Sequence, residues 1–351
     1  MKDALVLITN YNGKHFLDDC LSSVVAQRGV SFDTLVVENG SSDGSLEYIR
    51  DGWPQVLIER IEQNIGYGHG LNAGYAGRLD QYRHIVFLSN DVKVEPQWLA
   101  PLVQALDADP RAALCNSLVI NARNGKVDTA AGRIINLYLG ILGGCFSDQD
   151  AQVVYDHADG KPFEGFYADL CALAVPAWAL KELGGFDESY YMYFEEVDLS
   201  WRARLQGYRV ICEPKSRLTH IKGGTPKTQE LSRKILKGMD RNLLCVFYKH
   251  LGWFNLLWLM PLIAVARVAS SLIYLPIDPR IVGGKLAGLW EFVLRIPSLG
   301  AQRRALQAGR KLSDREVFAS NPGDPWSLAP IFNLVVARLR DISGWYKRGG
   351  A

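Results

Sequence analysis

The chain has 351 residues, long enough for one large domain or two ordinary ones. Its 39 Lys and Arg against 37 Asp and Glu leave it near charge balance, which argues against a dedicated nucleic-acid binder. Six scattered cysteines (Cys20, Cys115, Cys145, Cys171, Cys212, Cys245) contain no C-x-x-C pair, which argues against a zinc knuckle or a disulfide framework and for reduced thiols in a cytosolic setting.

The N-terminal apolar run is too short for a signal peptide and reads as a first strand over Ala4–Thr9. A helix is expected next, with Phe16, Leu17, Cys20, Leu21, Val24 and Val25 at helical spacing, then a strand over Thr34–Val37. Ser41, Ser42 and Asp43 offer capping side chains for a helix through Leu46, Tyr48 and Ile49. Val56–Ile61 and Ile85–Leu88 are the next two strands, and Tyr208–Cys212 is a later strand-like run. Continuous apolar strands alternating with helices predict an α/β fold, an open and mostly parallel sheet with ligands at its carboxyl ends.

Four candidate sites stand at those ends. After the first strand, Thr9-Asn10-Tyr11-Asn12-Gly13 lacks the G-x-G-x-x-G of a dinucleotide site, which disfavours an NAD-dependent oxidoreductase. A hydroxyl, amides and an aromatic ring suit a base and ribose instead. After the second, Glu38-Asn39-Gly40-Ser41-Ser42-Asp43 places a carboxylate, Glu38, to accept from a base N–H or a ribose hydroxyl. Either segment alone reads better as turn chemistry. The glycine-rich Asn64–Gly74 allows close backbone approach to a ligand, and His69 within it reads as a surface histidine. Asn90-Asp91 ends the fourth strand with an oxygen ligand suited to Mg²⁺ or Mn²⁺ on a diphosphate, and His220 could complete such a site.

Gly184–Gly207 packs five carboxylates and two arginines among aromatic residues. A helix there would bury Phe194, Val197, Trp201 and Leu205 as one stripe, let Asp198 and Arg202 pair four apart, and turn Glu196 away from the packing. The acids could equally complement the helix dipole, worth about 0.3–1 kcal/mol each. Asp187 reads as a loop cap.

Beyond about residue 225 the pattern turns helical, giving two expected regions, 1–225 and 226–351. Residues 251–277 hold two apolar runs interrupted by Arg267, each short of the ~20 residues of a spanning helix. Trp253, Trp258, a helix-breaking Pro261 and flanking Arg233, Lys234, Lys237, Arg241, Lys249, Arg295, Arg303, Arg304, Arg310 and Lys311 predict an interfacial or re-entrant element on an anionic surface. A buried helix pair is the alternative.

Taken in order, T-N-Y-N, V-V-E-N-G-S-S-D-G-S, N-x-G-Y-G, S-N-D, G-G-F-D-E, F-E-E-V-D-L-S-W-R and a histidine resemble the family-2 glycosyltransferases of the GT-A fold, closest to bacterial rhamnosyltransferase-like members, over residues 1 to about 225. The resemblance implies an inverting transferase using a dTDP- or UDP-sugar, dTDP-rhamnose first, and a hydroxyl of a lipid-linked or polysaccharide acceptor. It implies work at the cytoplasmic face of the inner membrane in a peripheral or monotopic mode. Glu196 would be the base, with Glu195 and Asp198 as its catalytic setting. Thr9, Asn10, Tyr11, Asn12, Glu38, Asn39, Gly66, Asn90, Asp91 and Arg202 would meet the nucleotide sugar, and Asp91 with His220 the metal. Two departures stand out: Glu38 replaces the Asp of many relatives, and the Asp-x-Asp metal motif is reduced to one carboxylate, Asp91. The same residues without turnover would make a nucleotide-sugar-binding or assembly protein.

Overall fold

The computed structural model describes residues 1–130, 132–137, 140–221, 229–272, 279–321, 323–327 and 329. The chain opens with β1 (Lys2–Asn10), α1 (Leu17–Val25), β2 (Phe32–Asn39), α2 (Ser45–Gly52), β3 (Leu57–Ile61), α3 (Tyr67–Tyr75), β4 (Tyr82–Ser89) and β5 (Val92–Val94). It continues through α4 (Leu99–Ala108), β6 (Ala112–Asn121), β7 (Val127–Thr129), β8 (Arg133–Asn136), β9 (Gly140–Gly144), α5 (Ala151–His157) and β10 (Phe163–Glu164). Then come β11 (Ala172–Pro176), α6 (Ala177–Leu183), α7 (Glu195–Leu205), β12 (Arg209–His220), α8 (Gln229–His250), α9 (Trp253–Leu272), α10 (Pro279–Ala308) and α11 (Asp314–Val317).

Ten of the described strands form one sheet, and it is mixed rather than mostly parallel. Its first part, in the order β3-β2-β1-β4, is parallel as expected. β11 then inserts antiparallel between β4 and β6, and β12 runs parallel to β6 but antiparallel to β5 and β10. The second half lacks the strand–helix alternation that signals parallel pairing, so its short strands escape sequence reading.

Every residue from Ala4 to Ile8 is buried, because both sheet faces are covered. Ala4, Val6 and Ile8 pack with α1 and α4, while Leu5 and Leu7 pack with α3 and α6. The chain winds outward from β1 to β3 and returns on the other side as β4. That reversal opens a crevice at the carboxyl ends of β1 and β4, the place where open α/β sheets bind ligands.

The glycine-rich segment contains helix α3, where Gly74 serves packing: a Cβ on it would stand 2.6 Å from both Leu7 Cδ1 and Val37 Cγ2. Two local expectations need correction. His220 ends one long strand that already includes Arg209, with an irregularity between Glu213 and Arg217. Gly44, not a serine, caps α2, although Asp43 accepts from the Ser45 N–H at 3.1 Å.

The C-terminal part is helical, and no described helix is long and apolar enough to cross a membrane. Pro261 sits inside α9 without ending it, because buried Leu256, Leu259 and Ile263 anchor both sides of the ring's position. The expected basic belt is largely spent internally. Lys237 and Arg241 pair with Glu291, Arg267 with Asp240, Arg310 with Asp314, and Arg303 donates to the Leu251 carbonyl. The side chains of Arg233 and Lys234 and residues 273–277 lie outside the described residues. Apolar surface remains instead: Phe254, Leu257, Val265 and Val268 on α9, and Leu286, Trp290, Val293 and Leu294 on α10, are exposed at helical spacing.

Candidate active site

At the mouth of the crevice, polar side chains from three strand ends tie to one another. Asn90 donates to Asn10 at 2.7 Å, and Asn10 donates to Glu38 at 2.8 Å. Glu38 also accepts from the Ser41 N–H at 3.2 Å and the Ser45 hydroxyl at 3.0 Å. Asn39 donates to the Gly66 carbonyl at 3.0 Å and accepts from the Ile65 N–H at 3.2 Å. Asn12, in the left-handed region (φ 51°), accepts from the Ser42 N–H at 2.8 Å. These bonds satisfy backbone groups that loops would otherwise leave open.

The lattice revises the expectation for Glu38. Its carboxylate is buried under the loop and already serves three donors, so it shapes the ligand platform rather than meeting a base or ribose. Asn10, Asn39 and Gly66 are likewise buried supports. Tyr11, Asn12 and Asn90 remain partly exposed at the mouth. The Thr9 hydroxyl beneath them is buried with no partner among the described residues.

Asp91 links β4 to β5, and the antiparallel pairing of β5 with β12 sets Val92 opposite His220. His220 Nε2 therefore lies 3.3 Å from the Asp91 carboxylate. Burial opposes a charged imidazole, but the Cys171 sulfur and the Asp91 carboxylate outweigh it and raise its pKa. Since burial pushes the Cys171 thiol itself up, Asp91 is the effective partner at neutral pH. Among the described residues no group of three His, Cys, Asp or Glu side chains could hold an ion unaided. One carboxylate and one imidazole still fit Mg²⁺ or Mn²⁺ whose other ligands are phosphate oxygens, the common mode for such ions. His220 Nδ1 is buried and unpartnered among the described residues, while Nε2 faces Asp91.

Tyr67 joins this end of the site to the acidic helix. Its hydroxyl lies 3.4 Å from Ser89 Oγ, and its N–H donates to the Tyr191 carbonyl at 2.9 Å. Burial holds the phenol protonated well above its usual range despite the Ser89 bond, and Cys171, Asp91 and Glu195 add to the effect. Sequence reading passed over Tyr67, although its place after Gly66 in the glycine-rich motif was a signal. At Gly66 (φ 98°) a Cβ would stand 2.7 Å from the Tyr191 carbonyl, so only glycine lets the two loops close together.

The acidic helix α7 follows two consecutive left-handed residues, Tyr193 (φ 70°) and Phe194 (φ 76°). Such conformations cost a non-glycine residue about 1–3 kcal/mol each and persist only where the surroundings impose them. Phe194, Val197, Trp201 and Leu205 line one buried stripe, and it faces the C-terminal helices. Leu199 and Ala203 face the sheet side, so α7 is packed on two faces. Glu195 lies at the α3 N-terminus, with its Cγ 3.0 Å from where a Gly68 Cβ would be. Burial above all, then Glu196, raises the Glu195 pKa well above the carboxylate range, and one of its oxygens has no partner among the described residues. Glu196 is half-buried beside it.

Asp198 and Arg202 pair at 2.8 Å, as their spacing predicts. Lys249 of α8 also pairs with Asp198, and with Asp187 at 2.7 Å. Asp198 is fully buried; burial opposes its ionisation, but Lys249 and Arg202 hold its pKa far below normal. It is a structural anion one turn past Glu195, not a group open to substrate. Arg202 is corrected too. Its guanidinium donates to the Leu183 and Gly185 carbonyls and to Asp198, which commits it to the 183–185 loop rather than to a nucleotide sugar. Asp187 caps its loop by accepting from the Ser189 N–H at 2.9 Å, and His69 is a half-exposed partner of Glu188 at 3.4 Å.

Residues 5–152 match the family model described as glycosyl transferase family 2, a span that ends before α7 and His220. The chain is 27% identical over 273 residues to the N-acetylglucosaminyl-diphospho-decaprenol L-rhamnosyltransferase of Mycobacterium tuberculosis, covering 73% of this chain and 88% of that protein. It is 22% identical over 211 residues to the poly-beta-1,6-N-acetyl-D-glucosamine synthase of Staphylococcus aureus, covering 59% of this chain and 47% of that one. Among solved structures, S. aureus TarS 1-349 aligns with a TM-score of 0.53 at 14% identity, covering 91% of this chain and 89% of that chain. GalNAc-T7, crystallised with UDP, GalNAc and Mn²⁺, aligns with a TM-score of 0.55 at 17% identity, over 71% of this chain but only 48% of that one. Those likenesses establish a GT-A-like fold.

Proposed function

For this chain, a glycosyltransferase carrying a family-2 domain and similar to rhamnosyltransferases, we propose an inverting transfer from a dTDP- or UDP-sugar, dTDP-rhamnose first, to a hydroxyl of a lipid-linked or polysaccharide acceptor in cell-surface glycan synthesis. The M. tuberculosis relative supports rhamnose and a polyprenyl-linked acceptor. The observation that carries the reading is the contact of the segment leading into α7 with α3, Tyr191 on Tyr67 and Glu195 on Gly68, since Tyr67 in turn reaches Ser89 at the strand end next to Asp91.

Glu196 removes the proton of the acceptor hydroxyl, and the oxygen forms a bond to the anomeric carbon as the bond to the diphosphate breaks. Neutral Glu195 spares Glu196 a second negative charge at close range. Tyr11, Asn12 and Asn90 bind the nucleotide sugar on the platform that Asn10, Glu38 and Asn39 hold in shape. Asp91 and His220 would hold a divalent metal, Mg²⁺ or Mn²⁺, which when bound offsets charge on the leaving diphosphate. Residues 1–225 form the catalytic region, and 226–351 hold it peripherally at the cytoplasmic membrane face. The exposed apolar stripes of α9 and α10 support that placement.

A thermal-shift panel of nucleotide sugars with and without Mn²⁺ tests the donor and the metal, because a ligand raises stability only if it binds the folded state. One donor should stabilise selectively, and Asp91→Ala should remove the Mn²⁺-dependent part. Glu196→Gln should cut transfer by about 10²–10⁴-fold while keeping donor binding. Full transfer by that variant would overturn Glu196 as the base. A wild-type protein that binds donors yet never releases nucleotide diphosphate would favour a binding protein instead.

A further inference from the structure

We infer that Asn242, in the middle of α8, is a positioning residue that fixes the turn presenting Glu196, so that the C-terminal helices are part of the catalytic geometry. The inference rests on the reading of Glu196 as the base.

The approach to α7 is held by its carbonyls. The fully buried Asn242 amide donates to the Met192 carbonyl at 3.0 Å and the Tyr193 carbonyl at 2.9 Å. Tyr67 N–H takes the Tyr191 carbonyl at 2.9 Å, and Arg295 of α10 takes that of Ser189 at 3.1 Å. Intrahelical bonding starts only with Asp198 N–H on the Phe194 carbonyl, so Met192 and Tyr193 precede the helix's own ladder. A carbonyl turned from water without a donor is costly, and the Asn242 amide supplies a donor to both of these carbonyls in the turn as it stands.

The orientation of that amide is itself determined. Arg241 donates to Asn242 Oδ1 through Nε at 2.9 Å and Nη2 at 2.8 Å, and a guanidinium can only donate. The NH₂ group must therefore face the two carbonyls. Arg241 is anchored in turn by Glu291 of α10 at 3.2 Å. A chain of fixed donors and acceptors thus runs from α10 through α8 to the Met192 and Tyr193 carbonyls, and Tyr193 is the first of the two left-handed residues immediately before Glu195. Without it, both residues can relax to ordinary backbone regions, and the first turn of α7 moves with them.

The test uses the full chain and compares Asn242→Ala, Tyr193→Gly and the double variant. A misplacement of about an ångström costs on the order of 10²-fold in rate. Asn242→Ala should therefore lose kcat on that scale, while nucleotide-diphosphate affinity by calorimetry stays at the wild-type value. Glycine adopts the left-handed region without strain, so Tyr193→Gly should recover part of the kcat lost in Asn242→Ala, which a general loss of stability would not allow. Asn242→Asp, which keeps the acceptor for Arg241 and removes both donors, should reproduce the kcat loss and serves if the alanine variant does not fold. Wild-type kcat in either Asn242 variant overturns the inference, as does a parallel fall in kcat and nucleotide affinity without glycine rescue. Glu196→Gln run alongside separates the two readings. Its retained activity would sink the base assignment, whereas an inactive Glu196→Gln beside a fully active Asn242→Ala would sink the positioning role alone.

Discussion

The strand-end platform and the acidic turn face the same crevice but are stabilised in different ways. The platform is made mostly of neutral amides and hydroxyls that bond to one another over three loops, around a single buried carboxylate, Glu38. The turn is dense in charge and locally strained, and beside Arg202 of α7 itself its counter-charge is Lys249 of α8, about fifty residues further along the chain than Asp198. A neutral lattice can be assembled from local loop chemistry. A buried anion such as Asp198 needs a cation delivered by tertiary packing, since leaving it unpaired in the interior is far more costly than leaving it in water.

The largest effect that would sharpen this contrast is expected for Lys249→Met. It strands Asp198 and Asp187 without their shared cation and should destabilise the protein by about 3–5 kcal/mol in urea denaturation. Adding Asp198→Asn should recover part of that loss. Equal stability of Lys249→Met and wild type would mean that the turn does not depend on buried charge at all.

The same cluster sets a pH signature. Asp198 has a folded pKa held below its unfolded value of about 4 by Lys249 and Arg202 against the effect of burial. Its contribution is therefore fully present above pH ~4 and is lost as pH falls from there toward the depressed folded value. Acid unfolding followed by circular dichroism should show this loss in wild type and a flatter profile in Lys249→Met.

On the platform side, Gly74→Ala drives a methyl against Leu7 and Val37, and overpacking of this kind costs about 1–3 kcal/mol. It should lower the melting temperature and weaken nucleotide binding together, because Leu7 and Val37 lie on β1 and β2, the strands whose ends carry the platform. A neutral outcome would show that α3 can shift away from β1 and β2 without consequence.

The smallest effect belongs to Glu195→Gln. With its folded pKa raised, Glu195 keeps a proton that the unfolded chain releases above about pH 4.3, so the wild-type residue weakens folding as pH rises between the two values. Glutamine resembles the protonated acid and should leave stability at neutral pH unchanged or slightly higher. A loss of more than about 1 kcal/mol, the scale of one net hydrogen bond, would mean that the carboxyl is ionised in the folded protein.

The parallel half of the fold was legible because β1, β2 and β4 carry continuous apolar runs, each followed by a polar turn and separated by periodic helices, with the mixed run of β3 between them. The antiparallel insertion of β11 was not, since a five-residue buried strand has no period that distinguishes it from a piece of helix. Asp91 and His220 were found as residue types, and the pairing of β5 with β12 is what sets them 3.3 Å apart. For Arg202 the resemblance implied a nucleotide-sugar contact, and only the fold shows its guanidinium committed to the Leu183 and Gly185 carbonyls. The apolar stripe of α7 was correct, but a one-dimensional pattern could not show that it faces α8 or that the opposite side is buried as well.

By itself, then, the sequence determined the βα succession, the ordered motifs at its strand ends and the two adjacent glutamates, because these follow from local propensity and spacing. Tertiary structure alone decided which acid is neutral, which is ion-paired and which remains half-exposed beside the crevice. The reason is physical. Solvation and partner distance set the charge state of a carboxylate, and in α7 both are fixed by helices that sequence spacing does not bring near.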